Sequence, residues 1–188
     1  MQAADQPKAA PPKKAPPPAP FIVAAQLPAD LLAWADGLRR AHYPPERNKL
    51  VAHVTLFHSF APSLREELLR TLGDYAARFA PPPARLEGLI DFGQGTALRI
   101  HSPAMSAIRA HIAEHFHGSL TTQDLQEPRL HITVQNKVTP QAARALQAEL
   151  AASVQPREFS FRGLELHLYR ETHWDRIGSW SFRGKEAP

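Results

Sequence analysis

Apolar and polar residues along the chain follow first the pattern of a strand and then that of an amphipathic helix, starting at residue 21. The apolar run over residues 21–27 predicts a strand, and residues 28–43 predict a helix because apolar side chains recur at helical spacing on one face. Pro44 and Pro45 end this helix, because proline has no amide hydrogen and clashes with the preceding turn. The same reasoning predicts the other elements of the first half, which are a strand over 50–60, a helix over 63–80 and a strand over 85–93.

The second half of the chain repeats this order of elements. Its predicted elements are a strand over 96–102, a helix over 103–118, a loop over 121–129, a strand over 130–138, a helix over 139–154, a strand region over 157–170 and a last strand over 178–184. Ser63 and Thr139 are the predicted N-caps of the helices that they begin. The repeat predicts an α+β fold with mainly antiparallel sheets and helices on their outer faces. Two pseudo-symmetric lobes, roughly residues 21–93 and 94–188, are expected to face each other across a central cleft.

Composition limits the classes of protein that fit. The 188 residues include no Cys, which excludes disulfides and thiolate metal sites and fits a reducing cytoplasm. No run approaches the roughly 20 apolar residues that span a bilayer, and no signal-peptide core precedes residue 21, so no membrane partner is expected. Residues 1–20 are nearly all Ala, Pro, Lys and Gln, which predicts a disordered tail ahead of one folded domain over 21–188. That domain is expected to be a monomer.

The net charge of +4 makes the chain mildly basic. A solvated surface with slightly more basic than acidic residues explains this charge, although a partner that carries phosphate also fits it. The tail offers an alternative interaction arm through its three lysines, Lys8, Lys13 and Lys14.

Each half contains one His-x-Thr motif inside its second predicted strand. The motifs are His53-Val54-Thr55 and His131-Ile132-Thr133. Because strand side chains alternate between faces, each His shares a face with its Thr. The same alternation puts Phe57 and Ser59 on the first polar face, and Gln135 and Lys137 on the second. If the lobes face each other, both polar stripes line one cleft.

Two imidazoles and two hydroxyls in one cleft suit phosphoryl chemistry. An ordinary imidazole pKa near 6.5 lets one His be neutral and the other protonated near neutral pH, so that one takes a proton and the other gives one. The hydroxyls of Thr55 and Thr133 can donate hydrogen bonds to phosphate oxygens as charge develops there. Lys137 would add a positive charge, and this scheme requires neither a metal nor another cofactor. Phe57 could stack on a base, and Arg47, in the loop before the first motif, could approach a phosphate.

The two motifs, HVTL and HITV, in pseudo-symmetric halves resemble those of the 2H phosphoesterase superfamily. The segments PPERNKLVAHVTLFHSF and LHLYRETHWDRIGSWSF resemble its bacterial 2'-5' RNA ligase-like, or cyclic nucleotide phosphodiesterase, branch. The resemblance covers about residues 21–184. It implies a bilobal fold and metal-independent opening of 2',3'-cyclic phosphates or related 2'-5' linkages in RNA-derived substrates, with RNA or a nucleotide carrying a cyclic phosphate as partner. It also implies that His53 and His131 are the acid–base pair and that Thr55 and Thr133 bind phosphate oxygens.

Two alternatives stay open from the sequence. The segment HIAEH, with His111, Glu114 and His115, matches the H-x-x-E-H pattern of inverted zinc peptidases, although the segment also reads as an ordinary amphipathic helix. A non-catalytic RNA-binding module with the same basic cleft is the second alternative. For Trp174 and Tyr169, near the last predicted turn, the sequence allows either a place at the border of the site or structural packing.

Overall fold

The computed structural model describes residues 19–188 of the chain. These residues form eight strands and four α-helices, in the order β1 (Phe21–Gln26), α1 (Ala29–His42), β2 (Val54–Phe60), α2 (Arg65–Arg78), β3 (Pro83–Asp91), β4 (Gly95–His101), α3 (Pro103–His115), β5 (His131–Asn136), α4 (Pro140–Ala151), β6 (Arg157–Ser160), β7 (Gly163–Tyr169) and β8 (Trp174–Ser181). The tail that the sequence predicts to be disordered, with its three lysines, lies almost wholly outside the described residues.

The strands form two four-stranded antiparallel sheets. The first sheet has the order β2-β1-β7-β8, and the second has the order β5-β4-β3-β6. The predicted α+β class with antiparallel sheets is therefore confirmed. Strands β2 and β5, which carry the two motifs, are edge strands of their sheets and contact each other.

The two halves of the chain exchange strands between the sheets. Strand β3 belongs to the first half but pairs with β4 in the second sheet, whereas β7 and β8 belong to the second half and extend the first sheet from β1. A division near residue 93 therefore does not separate the sheets. The strand region predicted over 157–170 contains two strands, β6 and β7, which lie in different sheets.

Helix N-termini follow local chemistry at α3 and α4. The Thr139 hydroxyl accepts a hydrogen bond from the amide of Ala142 at 3.2 Å, so the predicted cap of α4 is confirmed. Ser102 caps α3 in the same way through the amide of Met105, which the sequence pattern did not indicate. The predicted Ser63 cap is wrong: Ser63 lies in a 3-10 turn, Pro62–Leu64, and its side chain makes no capping bond to α2.

One hydrophobic core runs through both sheets and the helices. Where the first sheet meets α3, Phe60 of β2 packs on Phe116, just after α3, with ring centroids 5.0 Å apart. The core is therefore continuous across the contact between the edge strands β2 and β5. Within residues 19–188, no helix has both the length and the apolar character that crossing a membrane requires.

Candidate active site

The two motif histidines occupy equivalent places at the starts of β2 and β5. His53 directly precedes β2, and His131 is the first residue of β5. The Nδ1 atom of His53 lies 2.7 Å from the carbonyl oxygen of Val51, and Nδ1 of His131 lies 2.6 Å from that of Arg129. A carbonyl only accepts hydrogen bonds, so each Nδ1 carries its hydrogen and each neutral ring keeps a lone pair on Nε2. Both halves thus orient their histidine alike, with Nε2 as the ring nitrogen that can accept a proton.

The two motif threonines are also equivalent in register. Thr55 pairs with Ala24 of β1, and Thr133 pairs with Ala97 of β4. Directly paired residues of an antiparallel sheet place their side chains on the same face. Ala24 also pairs with Glu165 of β7, so Thr55 and Glu165 lie on one face of the first sheet, which we call its cleft face.

Burial lowers the pKa of both motif histidines. At His53 desolvation is the main cause of a pKa of about 4, and the positive charges of Arg39, His167 and His131 lower it further. The hydrogen bond to the carbonyl of Val51 acts in the opposite direction and raises it. At His131 desolvation again lowers the pKa, with the charges of His58 and Arg129 acting in the same direction. A positive charge on His131 would disfavour a positive charge on His53, so protonation of one ring opposes protonation of the other. Both rings are therefore mainly neutral in the free protein at pH 7.

Arg39 connects the two motifs from α1. Its side chain is only 4% exposed, and it donates hydrogen bonds to the carbonyl of Leu50, ahead of the first motif, at 3.2 Å and to the carbonyl of Thr133, inside the second, at 2.8 Å. Its Nε also donates to Asn48 Oδ1 at 3.2 Å. A buried guanidinium with fixed donors sets the separation of the groups it joins. Arg39 thus holds the loop before His53 against the strand of Thr133.

Arg109 makes the reciprocal connection from α3. It is 6% exposed and donates to the carbonyl of Leu56, in the first motif strand, at 2.9 Å and to the carbonyl of Asp124, in the loop before the second motif, at 2.5 Å. Its guanidinium also lies over the ring of Phe57, 4.5 Å from the centroid. Both arginines therefore tie the loop before one motif to the strand of the other.

A large cavity opens beside His53 on the cleft face of the first sheet. It measures about 760 Å³, and its wall includes His53, His167, Trp174 and Glu165. The ring of Trp174 lies 4.5 Å from that of His53 and 5.5 Å from that of His167, measured between centroids. Trp174 thus borders the site, which is one of the two possibilities open from the sequence. On the other side, Phe92 lies 5.1 Å from His131, edge to face.

A model of the 2'-5' RNA ligase superfamily matches residues 27–173, which is more than half of the chain. The chain belongs to this superfamily. Among solved structures, the fold is similar to TT0787 of Thermus thermophilus, with TM-score 0.62 and 17% identity over 88% of this chain and 98% of that one. It is also similar to E. coli LigT complexed with 3'-AMP, with TM-score 0.59, 17% identity and the same coverage. No curated protein matches the sequence.

Membership of the 2'-5' RNA ligase superfamily confirms the resemblance that the two motifs indicated. Identity near 17% supports the likeness of fold alone, so the two-lobed architecture is shared and these structures assign no role to a residue of this chain. The match spans both motifs, His53 to Thr133.

Strand irregularities move two predicted cleft residues away from the cleft. Val23 pairs with Phe57, whereas the next residue, Ala24, pairs with Thr55, so one extra residue in β2 reverses the alternation. Phe57 is consequently fully buried, and its prediction as a stacking residue is wrong. In β5 the same kind of shift pairs Gln135 with Thr96, whose hydroxyl bonds to the carbonyl of Ala143 in α4. Gln135 therefore lies under α4 and not in the cleft.

The two predicted cations lie outside the strands. β5 ends at Asn136, and Lys137 begins the next turn in the left-handed region, with φ of 59°. Strand alternation therefore does not fix its direction. Arg47 is exposed in the loop before the first motif, where its nearest ion-pair partner is Glu46 at 3.8 Å. Lys49, from the same loop, lines the His53 cavity instead.

His58 and Asp124 form a polar pair that the sequence did not indicate. Asp124 is 1% exposed and accepts hydrogen bonds from Nδ1 of His58 at 3.0 Å and from the amides of His58 and Ser59. Burial raises the pKa of Asp124, but the bonds from His58 and Ser59 outweigh burial and hold it below its usual value. The charge of His58 also lowers the pKa of His131, so this pair lies at the edge of the site.

The helix with the zinc-peptidase pattern gives no sign of a metal site. His111 stacks on Phe79 with centroids 5.6 Å apart, and Nε2 of His115 lies 2.9 Å from Oε1 of Glu67. Within the described part of the chain, no three or more His, Cys, Asp or Glu side chains come together in a way that could hold a metal ion. The pattern HIAEH therefore lacks the cage that the peptidase alternative needs.

Proposed function

We propose that this chain is a metal-independent phosphoesterase that opens 2',3'-cyclic phosphates or related 2'-5' linkages in RNA-derived substrates. The observation that carries the proposal is the matched presentation of His53 and His131. Each ring is fixed through Nδ1 to a carbonyl two residues earlier, which leaves Nε2 of both rings for the substrate. The E. coli LigT structures with 3'-AMP, NADP+ and ATP support a nucleotide-like substrate, because those ligands were bound to a protein of the same fold.

In ring opening, the oxygen of water forms a bond to phosphorus while the bond from phosphorus to one ribose oxygen breaks. One imidazole takes a proton from the water through Nε2, and the other, protonated on Nε2, gives a proton to the ribose oxygen. Protons return through solvent after product leaves. Because burial lowers the pKa of both rings, the negative charge of the bound phosphate supplies the free energy that keeps one of them protonated.

In this scheme the hydroxyls of Thr55 and Thr133 would donate hydrogen bonds to the non-bridging phosphate oxygens. Each Thr follows its His by two residues, so it shares a strand face with it. The two threonines also occupy equivalent pairing positions in the two sheets. Donors fixed before the reaction stabilise charge that develops on these oxygens without reorganising. In the reverse direction the same groups would join a cyclic phosphate to a hydroxyl, which is 2'-5' ligation, although the excess of water favours hydrolysis.

The test is turnover of a 2',3'-cyclic nucleotide by the purified full chain in the presence of EDTA, with identification of the product isomer. We expect multiple turnovers that His53→Ala and His131→Ala each reduce by about 10²–10⁴-fold. His117→Ala removes an exposed His of the helix end and serves as the matched control. Activity that disappears with EDTA and returns with a divalent ion would overturn the metal-independent scheme.

A non-catalytic RNA-binding module is the second candidate, because the same cleft would hold a nucleotide without chemistry. Stoichiometric binding of RNA with no product after long incubation would favour it over the enzyme. The cytoplasmic location and monomeric state predicted from the sequence stay predictions.

A further inference from the structure

The second sheet carries its own cavity beside His131. This cavity measures about 470 Å³, and its wall includes two arginines and two glutamates, Arg99, Arg129, Glu87 and Glu127. The loop that directly precedes His131 forms one side of it. A group joined to a phosphate that is bound at His131 can therefore reach this cavity.

Arg99 of β4 is the direct neighbour of His131 across the second sheet. The two residues pair in register, so their side chains lie on the same face with Cβ atoms about 5 Å apart. On its other side Arg99 pairs with Gly88, and nothing lies within 4 Å of the point where a side chain at Gly88 would begin. Because Arg99 is exposed and has open space beside it, a ligand at His131 can also contact its guanidinium.

Arg129 adds a second positive charge from the loop before the motif. Its carbonyl accepts the hydrogen bond from Nδ1 of His131 at 2.6 Å, and its charge is one cause of the lowered pKa of His131. In the described part of the chain, neither Arg99 nor Arg129 has an ion-pair partner. Arg85, by contrast, is paired with Glu158 at 3.5 Å. The two arginines beside His131 therefore carry positive charges that a ligand can neutralise.

The equivalent positions around His53 carry no charge. The register of β1 and β2, continued by one residue, places Gln26 opposite His53, which is the position that Arg99 has in the second sheet. Val51 stands two residues before His53, which is the position that Arg129 has in the second motif. At these two positions only the second half of the chain places cations beside its histidine, so the negative partner of these cations belongs on that side.

The carboxylates of Glu87 and Glu127 limit where a negative group can lie. They line the same cavity and repel an anion, so an anion is favoured only at the edge where Arg99 and Arg129 adjoin His131. Carboxylates accept hydrogen bonds, so the rest of the cavity suits uncharged donors such as sugar hydroxyls. A phosphate followed by a neutral nucleoside has this order of groups.

We propose that Arg99 and Arg129 form a subsite for a second phosphate, the phosphodiester that lies one nucleotide away from the reacting cyclic phosphate at the end of an RNA chain. This proposal rests on the proposed function, since it places a further part of that substrate. It makes the end of an oligonucleotide a better substrate than a free cyclic mononucleotide.

The test compares a dinucleotide that ends in a 2',3'-cyclic phosphate with the same compound in which a neutral methylphosphonate replaces the linking phosphate. The two compounds differ by one charge, so the ratio of their kcat/KM values measures what that charge contributes. An exposed ion pair contributes up to about fivefold, so two arginines should give the wild type a ratio of about tenfold or more. Arg99→Met and Arg129→Met should each lower this ratio by about 3- to 5-fold.

Two further variants separate the subsite from the general charge of the surface. Arg85→Met is the matched control, because Arg85 is an exposed arginine of the same sheet that is paired with Glu158 and does not line the cavity. Glu127→Gln removes a negative charge from the cavity and should raise the ratio. Added salt should lower the wild-type ratio, because it screens exposed charges.

A wild-type ratio near one would overturn the proposal. So would an equal fall of the ratio in Arg85→Met and Arg99→Met, because the effect would then come from the general charge of the surface. If the wild type hydrolyses neither compound, the proposed function fails, but calorimetric binding of a nucleoside 3',5'-bisphosphate and of the 3'-monophosphate still tests the subsite. Tighter binding of the bisphosphate by the wild type but not by Arg99→Met supports the subsite, and equal wild-type affinities for the two compounds refute it.

Discussion

Replacing Arg39 with Met tests whether a buried guanidinium sets the geometry of the two motifs. Arg39 donates to the carbonyls of Leu50 and Thr133 and to Asn48, and its guanidinium lies over Tyr43 with 4.2 Å to the centroid. A hydrogen bond to a charged group contributes about 1.5–3 kcal/mol. The two bonds to carbonyl groups together thus contribute at most about 6 kcal/mol to the free energy of unfolding. Met fills most of the volume of the Arg39 side chain, and water can reach part of the space that remains. We therefore expect Arg39→Met to lower the free energy of unfolding by about 3 kcal/mol.

The activity of Arg39→Met should change in two separate ways. Losing the bond to the Thr133 carbonyl lets the two motif strands move apart, and misplacement of about 1 Å can cost roughly 10²-fold in rate. Because the charge of Arg39 lowers the pKa of His53, its removal should also raise that pKa. The limb of the pH–kcat/KM profile that reports His53 should therefore move to higher pH, which a purely structural defect would not produce.

The measurements are urea unfolding and steady-state kinetics against pH. Arg70→Met is the matched control, because Arg70 is a helical arginine of α2 that is exposed and pairs with an equally exposed Asp74. Surface pairs of this kind contribute about 0–1 kcal/mol. Arg39→Lys keeps the charge and should leave the pH limb near the wild-type position while lowering kcat. If Arg39→Met matches Arg70→Met in stability, rate and pH profile, Arg39 does not position the motifs.

Other perturbations test the acid–base pair itself. The profile of kcat/KM against pH should be a bell with one limb near pH 4, which reports His53, and the other below pH 6.5, which reports His131. The reason is that burial lowers the pKa of His53 to about 4 and lowers that of His131 as well. Limbs at or above pH 6.5 would contradict this prediction. The free energy of unfolding should fall as pH drops from 6.5 towards 4, because the pKa of His53 is lower in the folded chain and the unfolded chain therefore binds the proton first. Urea unfolding at a series of acidic pH values measures this loss. His53→Gln should remove the part of the loss that His53 causes. Thr55→Val and Thr133→Val should each reduce kcat by less than the His variants do, and an unchanged kcat would remove them from the site. The double His variant should lose far less than the product of the two single losses.

The hydrophobic pattern was sufficient to predict the elements that carry the site. Helical spacing predicted α1, and the end at Pro44 and Pro45 followed from backbone chemistry. The repeat predicted that His53 and His131 would be equivalent, because identical spacing within equivalent elements leads to equivalent backbone positions. It did not predict which sheet receives β3 or β7, because pairing partners far apart in sequence leave no periodic signal in either strand.

Side-chain direction could be predicted only where the strands are regular. Simple alternation assigns Phe57 and Gln135 to the cleft, but one extra residue in each strand turns both towards the core. Arg39 and Arg109 gave no signal in the sequence, because an arginine in an amphipathic helix usually faces solvent. Their importance depends on carbonyl groups far along the chain, Thr133 for Arg39 and Leu56 for Arg109.

The repeated order of elements explains the likeness of the two histidines, and their neighbours explain the difference. The repeated backbone gives both rings the same Nδ1 bond, and this leaves Nε2 of each ring as the nitrogen with the lone pair. The neighbouring side chains have diverged: Trp174 lies against His53, whereas Phe92 and the charge of His58 act on His131. Desolvation is strong enough at His53 to bring its pKa to about 4. Acid–base catalysis by two like groups needs different environments, so that one holds its proton while the other accepts one. The symmetric backbone therefore orients both rings alike, and under the proposed function the asymmetric surroundings would give its members separate roles.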